Sequence, residues 1–369
     1  MKTPPIRAGG VSSINNLHRW AMHLSALFTS FRMRVVVIEG DGVGPEVISS
    51  ALRVLKAAVA KYGLTVDLQF VEAGDNALRK YGEALPSRYW PIIESADAIL
   101  KGPVGESAGD VVVGLRRGLD LYANIRPARN YPGVKAVRDG VDLVIVRENT
   151  EDVYVRAEYM LTNDVAVALR VITRRASERI ARVALNLAMN RRRRVTIVHK
   201  ANVLTVSDGL FRSAVRDIAK EYPGISINEM YIDAAVMDMV RRPQDFDVIV
   251  TTNLYGDILS DIAAYVTGSI GLAPSANMGD SKAMFEPVHG AAFDIAGKGI
   301  ANPTATILCV SWMLRWWGEK TGDTKYMSAG GAVEKAVIGT LSEGAKLTPD
   351  LGGNAKTEEF TEEILRRLG

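Results

Sequence analysis

From Met33 onward, runs of β-branched residues alternate with stretches whose apolar positions recur every three or four residues. The stretch "RVVVI" (34–38) is apolar without a polar alternation, the pattern of a strand buried on both faces. A glycine turn follows, then "PEVISSALRVLKAAVAKYG" (45–63). This has a helical period, with Pro45 suited to its first turn and Gly63 to its end. The same reading predicts buried strands at "ADAIL" (96–100), "VDLVIV" (141–146), "RVTIVH" (194–199) and "FDVIVT" (246–251). Helices are predicted at "ASERIARVALNLAMN" (176–190) and "GLFRSAVRDIAKEY" (209–222). The alternation predicts an α/β protein with a largely buried sheet. No repeat or low-complexity linker divides the chain, so two domains would be interleaved rather than strung in series.

Composition narrows the partners more than the fold. With 369 residues, 47% hydrophobic and 24% charged, the chain is long enough for one large domain or two. A net charge of +3 is too mild to argue for nucleic acid, and no apolar run reaches the roughly 18 residues of a membrane span. The single cysteine, Cys309, cannot form an internal disulfide, which fits a reducing compartment and a cytoplasmic location. Residues 1–32 contain no Asp or Glu and resemble a transit peptide in composition. "MRVVVI" begins a clean strand at Met33, so 1–32 are expected to be an unpacked leader and Met33 the true start. The run "RRRR" (191–194) lies between a helix and a strand, where arginines complement the helix dipole.

Candidate chemistry gathers at a few places. In "DVVVGLRRGL" (110–119), helical spacing puts Val112 and Val113 on the face of Arg116. An aliphatic pair beside a fixed cation suits a ligand with one charged and one greasy end. "GDGVGPE" (40–46) is glycine-rich, but Pro45 stands where a dinucleotide fingerprint needs its last glycine. In "NLYGDILSDIAA", Asp257 and Asp261 are four apart on a helix, as a solvated acidic face or as ligands for Mg²⁺ or Mn²⁺. Asp233 is a candidate third ligand. Lys200 follows an apolar strand in "HKANVL", as an ordinary surface lysine or as a general base. Arg147 and Tyr154 lie in "VRENTEDVY", and Arg126 in "YANIRPAR". Arg116, Arg126 and Arg147 together would make a receptor for a di-acid. In "FEPVHGAAFDIAGKGIANP" (285–303), glycines flank Asp294. Such a loop suits an adenosine, and its carboxylate disfavours a 2′-phosphate, hence NAD over NADP.

These segments, with "TPDLGGNA" (348–355), resemble in matching order the β-decarboxylating dehydrogenases that act on isocitrate, 3-isopropylmalate, homoisocitrate and tartrate or malate, nearest their archaeal-type 3-isopropylmalate branch. The resemblance runs from Met33 to the C-terminus. It implies an open mixed α/β sheet distinct from the Rossmann fold. Residues 33–121 and 268–369 would form a cofactor-side domain, and 122–267 a dimerisation and substrate domain. It implies a homodimer or dimer of dimers, an interlocking arm within 151–173, and shared active sites. Tyr154 and Lys200 would be catalytic, and Asp233, Asp257 and Asp261 would hold the metal. Arg116, Arg126, Arg147 and Asp233 would bind the substrate, with Val112 and Val113 against its side chain. His289, Gly290, Ala291, Ala292, Asp294, Ile295 and Asn302 would bind NAD. The loop departs from many relatives in reading "AAF" at 291–293 rather than "SAP".

The two valines favour 3-isopropylmalate as substrate, oxidatively decarboxylated in leucine biosynthesis, over homoisocitrate, isocitrate or a methylmalate. A reading of another class makes the chain an inactive relative serving a regulatory or nucleic-acid-binding role, supported by the basic run. Against it stands the retention of Lys200, Tyr154, three aspartates and three arginines.

Overall fold

The computed structural model describes residues 32–369, so the expectation of an unpacked leader lies outside it except for Arg32. The strands are β1 (Met33–Ile38), β2 (Val66–Phe70), β3 (Ala98–Lys101), β4 (Ala123–Arg129), β5 (Asp142–Glu148), β6 (Glu158–Thr162), β7 (Val165–Ala168), β8 (Arg194–His199), β9 (Ser226–Tyr231), β10 (Val248–Thr251), β11 (Pro274–Met278) and β12 (Ala283–Pro287). The helices are α1 (Gly44–Tyr62), α2 (Asp75–Tyr81), α3 (Trp90–Ser95), α4 (Ala108–Gly118), α5 (Arg174–Met189), α6 (Ser207–Ala219), α7 (Ile232–Arg241), α8 (Asn253–Val266), α9 (Thr304–Thr321), α10 (Thr324–Glu343) and α11 (Thr357–Leu368). The strands and helices expected from periodicity are all present, displaced by a few residues at their ends.

One ten-stranded sheet runs through the molecule in the order β2-β1-β3-β12-β11-β4-β5-β10-β8-β9. The strands β2, β1, β3 and β12 pair in parallel, as do β5, β10, β8 and β9. Antiparallel β11 and β4 join these two sets. The inner strands β1, β3, β5 and β10 lack polar alternation because helices cover both faces. Val35 and Val37 of β1 enter one cluster, with α1 and α9, while Val36 and Ile38 enter another with Val111 and Leu115 of α4. In the other half, Val248 and Val250 pack on α5 and α6, and Ile249 on α7 and α8. Cys309 is fully buried in the first of these cores. Among the described residues no helix is long and apolar enough to cross a membrane.

Two local features set up the site. Gly42 has φ +57°, and a Cβ there would lie 2.0 Å from the Ala291 carbonyl oxygen. The "GDGVGPE" turn therefore approaches the 289–302 loop directly, and the Val43 N–H donates to that same oxygen at 2.8 Å. The basic run has a structural explanation. Arg191 pairs with Asp142 and Asp247, and Arg192 donates to the backbone carbonyls of Asp142, Gln244 and Phe246. These two arginines clamp the α5–β8 corner, while Arg193 and Arg194 are exposed.

Candidate active site

A cavity of about 440 Å³ opens where the two parallel halves meet. Lys101 at the end of β3 and Glu286 to Gly290 at the end of β12 line one side. Arg126 of β4, Arg147 of β5, Tyr154 and Asp257 of α8 line the other. One face of α4 crosses the cavity with Ala108, Val112, Val113 and Arg116. Val111 and Leu115 of that helix point into the core instead, so helical spacing presents the valine pair and Arg116 together.

Cations outnumber carboxylates along the wall; Lys101, Arg116, Arg126 and Arg147 are buried, and Arg156 at the edge is exposed. Arg116 donates from Nε to Asn277 at 2.9 Å and from Nη2 to Glu286 at 3.1 Å. Arg126 reaches Asn124, Asp257 and Ser260. Burial, reinforced by the Arg147 charge, lowers the Arg126 pKa to about 10, which leaves it charged at neutral pH. Arg147 is 1% exposed; its Nε donates to Asn253 at 2.9 Å and its Nη1 pairs with Asp257. Its Nη2 is buried with no hydrogen-bond partner among the described residues. A buried guanidinium nitrogen left unpaired costs stability, so it marks where an anionic ligand group fits. Gly256 makes room for it, since a Cβ there would lie 2.6 Å from Arg147 Cβ.

Tyr154 donates its hydroxyl to Asp257 Oδ2 and stacks under the Arg147 guanidinium. Burial, aided by the Asp257 charge, raises its pKa to about 12, so the phenol stays protonated at neutral pH. Burial alone would raise the Asp257 pKa, but Arg147 and Arg126 outweigh it and hold the carboxylate below its ordinary range. Asp261, one turn on, has no hydrogen-bond partner among the described residues, and loss of hydration raises its pKa. Two such carboxylates on one helix face fit a hard divalent cation. The third expected ligand does not join them within the chain. Asp233 is exposed and pairs with Lys200, and among the described residues no three ligating side chains converge. Lys200 and Asp233 thus form a separate pair outside this cavity.

The 289–302 loop extends from the cavity rim. His289 Nδ1 donates to the Gly290 carbonyl at 3.0 Å, while Nε2 is buried without a partner among the described residues. Asp294 is exposed and has no side-chain partner among the described residues, Ala292 sits at φ +42°, and Ile295 packs on Val43 and Val47. Ala291 packs against the glycine turn, as described above. Asn302 donates to Asp350 at 2.9 Å and accepts from the Thr304 N–H, which fixes the loop's far end at the start of α9. An orphaned imidazole nitrogen and, farther along the same loop, a free carboxylate fit a nucleoside.

Sequence reasoning missed a buried network behind the arginines. Lys101 Nζ lies 2.8 Å from Glu286 Oε2, with both side chains almost fully buried. Burial alone would raise the Glu286 pKa, but Lys101 and Arg116 hold it far below the carboxylate range. Asn277 accepts from Arg116, Asn124 and Asn149. Lys101 ends an apolar strand, the same signal that singled out Arg147. Arg156 was also missed; it pairs with Asp110 of α4 at the cavity edge.

Residues 34–364 match the isocitrate/isopropylmalate dehydrogenase family. The 3-isopropylmalate dehydrogenase of Saccharolobus solfataricus is 56% identical over 335 residues, 91% of this chain and 99% of that protein. The isocitrate/homoisocitrate dehydrogenase of Thermus thermophilus is 49% identical over 342 residues, 91% of this chain and 98% of that protein. The crystal structure of isocitrate dehydrogenase from Methylococcus capsulatus superposes with a TM-score of 0.85 at 41% identity, covering 91% of this chain and 99% of that one.

Proposed function

The chain belongs to the isocitrate/isopropylmalate dehydrogenase family, and from that premise we propose that it oxidatively decarboxylates 3-isopropylmalate with NAD and Mg²⁺ or Mn²⁺. The observation that carries the substrate choice is the α4 face. Arg116, Arg126 and Arg147 present buried cations to the carboxylates of a malate core, and Val112 and Val113 present an apolar wall to its C3 substituent. Burying an isopropyl group there contributes about 2 kcal/mol, whereas a third carboxylate against two valines would lose hydration without a partner.

Asp257 and Asp261 would hold the metal, with Asp233 supplied by a second copy, because no third ligand stands beside them among the described residues. The 289–302 loop would hold NAD, with Asp294 toward the ribose hydroxyls. When bound, the cofactor would take up hydride from C2, and the cation would supply Lewis acidity at the C2 oxygen. The arginines orient the substrate carboxylates, and the unpaired Arg147 Nη2 gains an acceptor. Lys200 of a second copy accepts the hydroxyl proton, directly or through water. Tyr154, protonated at neutral pH, gives its phenolic proton to C3 after CO₂ leaves.

Two further parts of this reading concern organisation. Residues 33–121 with 268–369 act as one domain and 122–267 as the other, closing on the cavity between them. The copies pair as a homodimer through exposed apolar side chains: Tyr159, Met160, Leu161 and Val165 on the β6–β7 hairpin, and Met237, Val240, Ile258 and Tyr265 on α7 and α8.

The test is a panel of 3-isopropylmalate, homoisocitrate, isocitrate, methylmalate, malate and tartrate, each with NAD and NADP, comparing kcat/KM. The highest value is expected for 3-isopropylmalate with NAD. A tricarboxylate in first place refutes the valine-wall argument, and equal values with NADP refute the role of Asp294.

A further inference from the structure

We propose that Arg170 is a positioning residue that couples the two active sites of a dimer through one guanidinium. The proposal rests on the shared-site reading above, in which Lys200 serves the cleft of the neighbouring copy.

Arg170 stands where the chain returns from the β6–β7 hairpin. Its Nε lies 2.7 Å from Asp152 Oδ1, its Nη1 pairs with Asp208, and its Nη2 donates to Thr252 Oγ1 at 2.8 Å. Its guanidinium also lies 4.9 Å from the Tyr255 ring centre. Both aspartate side chains are 0% exposed, so removing the arginine would leave two buried carboxylates short of a cation.

The aspartates lead to different chemistry. Asp208 Oδ2 accepts the backbone N–H of Lys200 at 2.6 Å. Asp152 accepts from Val153, which precedes Tyr154, and from Leu254 in the first turn of α8, the helix carrying Asp257. Asp152 does this at φ +70° and ψ −145°, a conformation that L side chains rarely adopt. Glycine would relieve that strain but has no carboxylate to accept from Leu254 or hold Arg170. A shift of the guanidinium is therefore felt at Tyr154 and Asp257 in the chain's own cleft, and at the lysine lent to its neighbour.

The experiment is a heterodimer with one working site, made from a Lys200→Ala chain and a chain intact at 200. Only the cleft of the Lys200→Ala chain then faces a lysine. Arg170→Lys keeps the charge but loses the fork, and is added to one chain at a time. The proposal expects kcat/KM to fall about tenfold or more in either placement, the scale of sub-ångström to 1 Å misplacement of a reacting group. On the lysine-lending chain the loss falls on kcat, with KM little changed, and the acid limb of the kcat–pH profile moves. On the cleft chain KM for 3-isopropylmalate rises as well. Asp208→Asn is the second variant, for use if Arg170→Lys does not fold, and it should act only from the lysine-lending chain. A loss confined to one placement of Arg170→Lys overturns the coupling. A lower Tm with kcat, KM and pH profile unchanged reduces Arg170 to a stabilising contact and overturns its positioning role. A heterodimer that is inactive with Arg170 intact overturns the shared-site premise, and is told apart because the loss does not depend on residue 170.

Discussion

Val113 is the residue on which the substrate choice turns. It is half-buried, lines the cavity one turn before Arg116, and is not among the core side chains that hold α4 to the sheet. Val113→Arg should therefore fold, lower kcat/KM for 3-isopropylmalate and raise it for homoisocitrate or isocitrate. If the variant folds and neither value moves, Val113 does not face the substrate side chain. Helical spacing alone made this trio legible, because three side chains within two turns need no knowledge of the rest of the fold. Lys101 and Glu286 were not legible in that way. Their pairing joins β3 to β12 across about half the chain, and nothing local in "AILK" or "AMFEP" says that each supplies the other's counter-charge.

At the scale of the element, the hairpin's return into α5 is held by a carboxylate of unusual affinity for protons. Glu151 accepts the Thr173 N–H at 2.7 Å and its hydroxyl at 2.8 Å, where Thr173 is the N-cap of α5. Burial, with the nearby Glu148 and Asp152 charges adding to it, pushes the Glu151 pKa up to about 7. A carboxyl whose folded pKa lies above its unfolded value favours folding when protonated. That stability is fully present below about pH 4.5 and is lost as pH rises toward 7. Glu151→Gln keeps an acceptor for the Thr173 N–H and cannot ionise. It should flatten the fall of Tm across that window and be the more stable protein at pH 8, by up to about 3 kcal/mol. Parallel Tm–pH curves for the two proteins would contradict this. The pattern "RENTED" gave no hint of such a shift, because it arises from burial under a segment that returns some twenty residues later.

Over the whole molecule, the alternation of strands and helices was readable where apolar strands are covered by helices of clear period, such as α1, α5 and α6; α9 and α10 carry little such period and were not legible that way. The order of strands was not readable from that alternation. Pattern gives each strand's burial but not its neighbour, and the junction strands come from far apart: β4 begins the 122–267 segment and β11 lies just past its end. The same limit applies to the metal ligands: spacing found Asp257 and Asp261 together, but Asp233 does not stand beside them within the chain.

The placement of β12 beside β3 has a consequence for how the chain is made. Ala98 pairs with Ala283, so β3 has no partner on that side until more than three-quarters of the chain has left the ribosome. The apolar face of α1 likewise waits for α9, α10 and α11. Strands β4, β5, β8, β9 and β10 all lie between residues 123 and 251 and need no later strand to pair with one another. Synthesis order and folding order are thus reversed for the first segment: it is made first and completed last. Non-local pairing of this kind slows folding and leaves strand edges open to other chains. Pulsed hydrogen exchange during refolding should protect the amides of β5, β8 and β10 before those of β1 and β3, and simultaneous protection would show that both halves form as one cooperative unit.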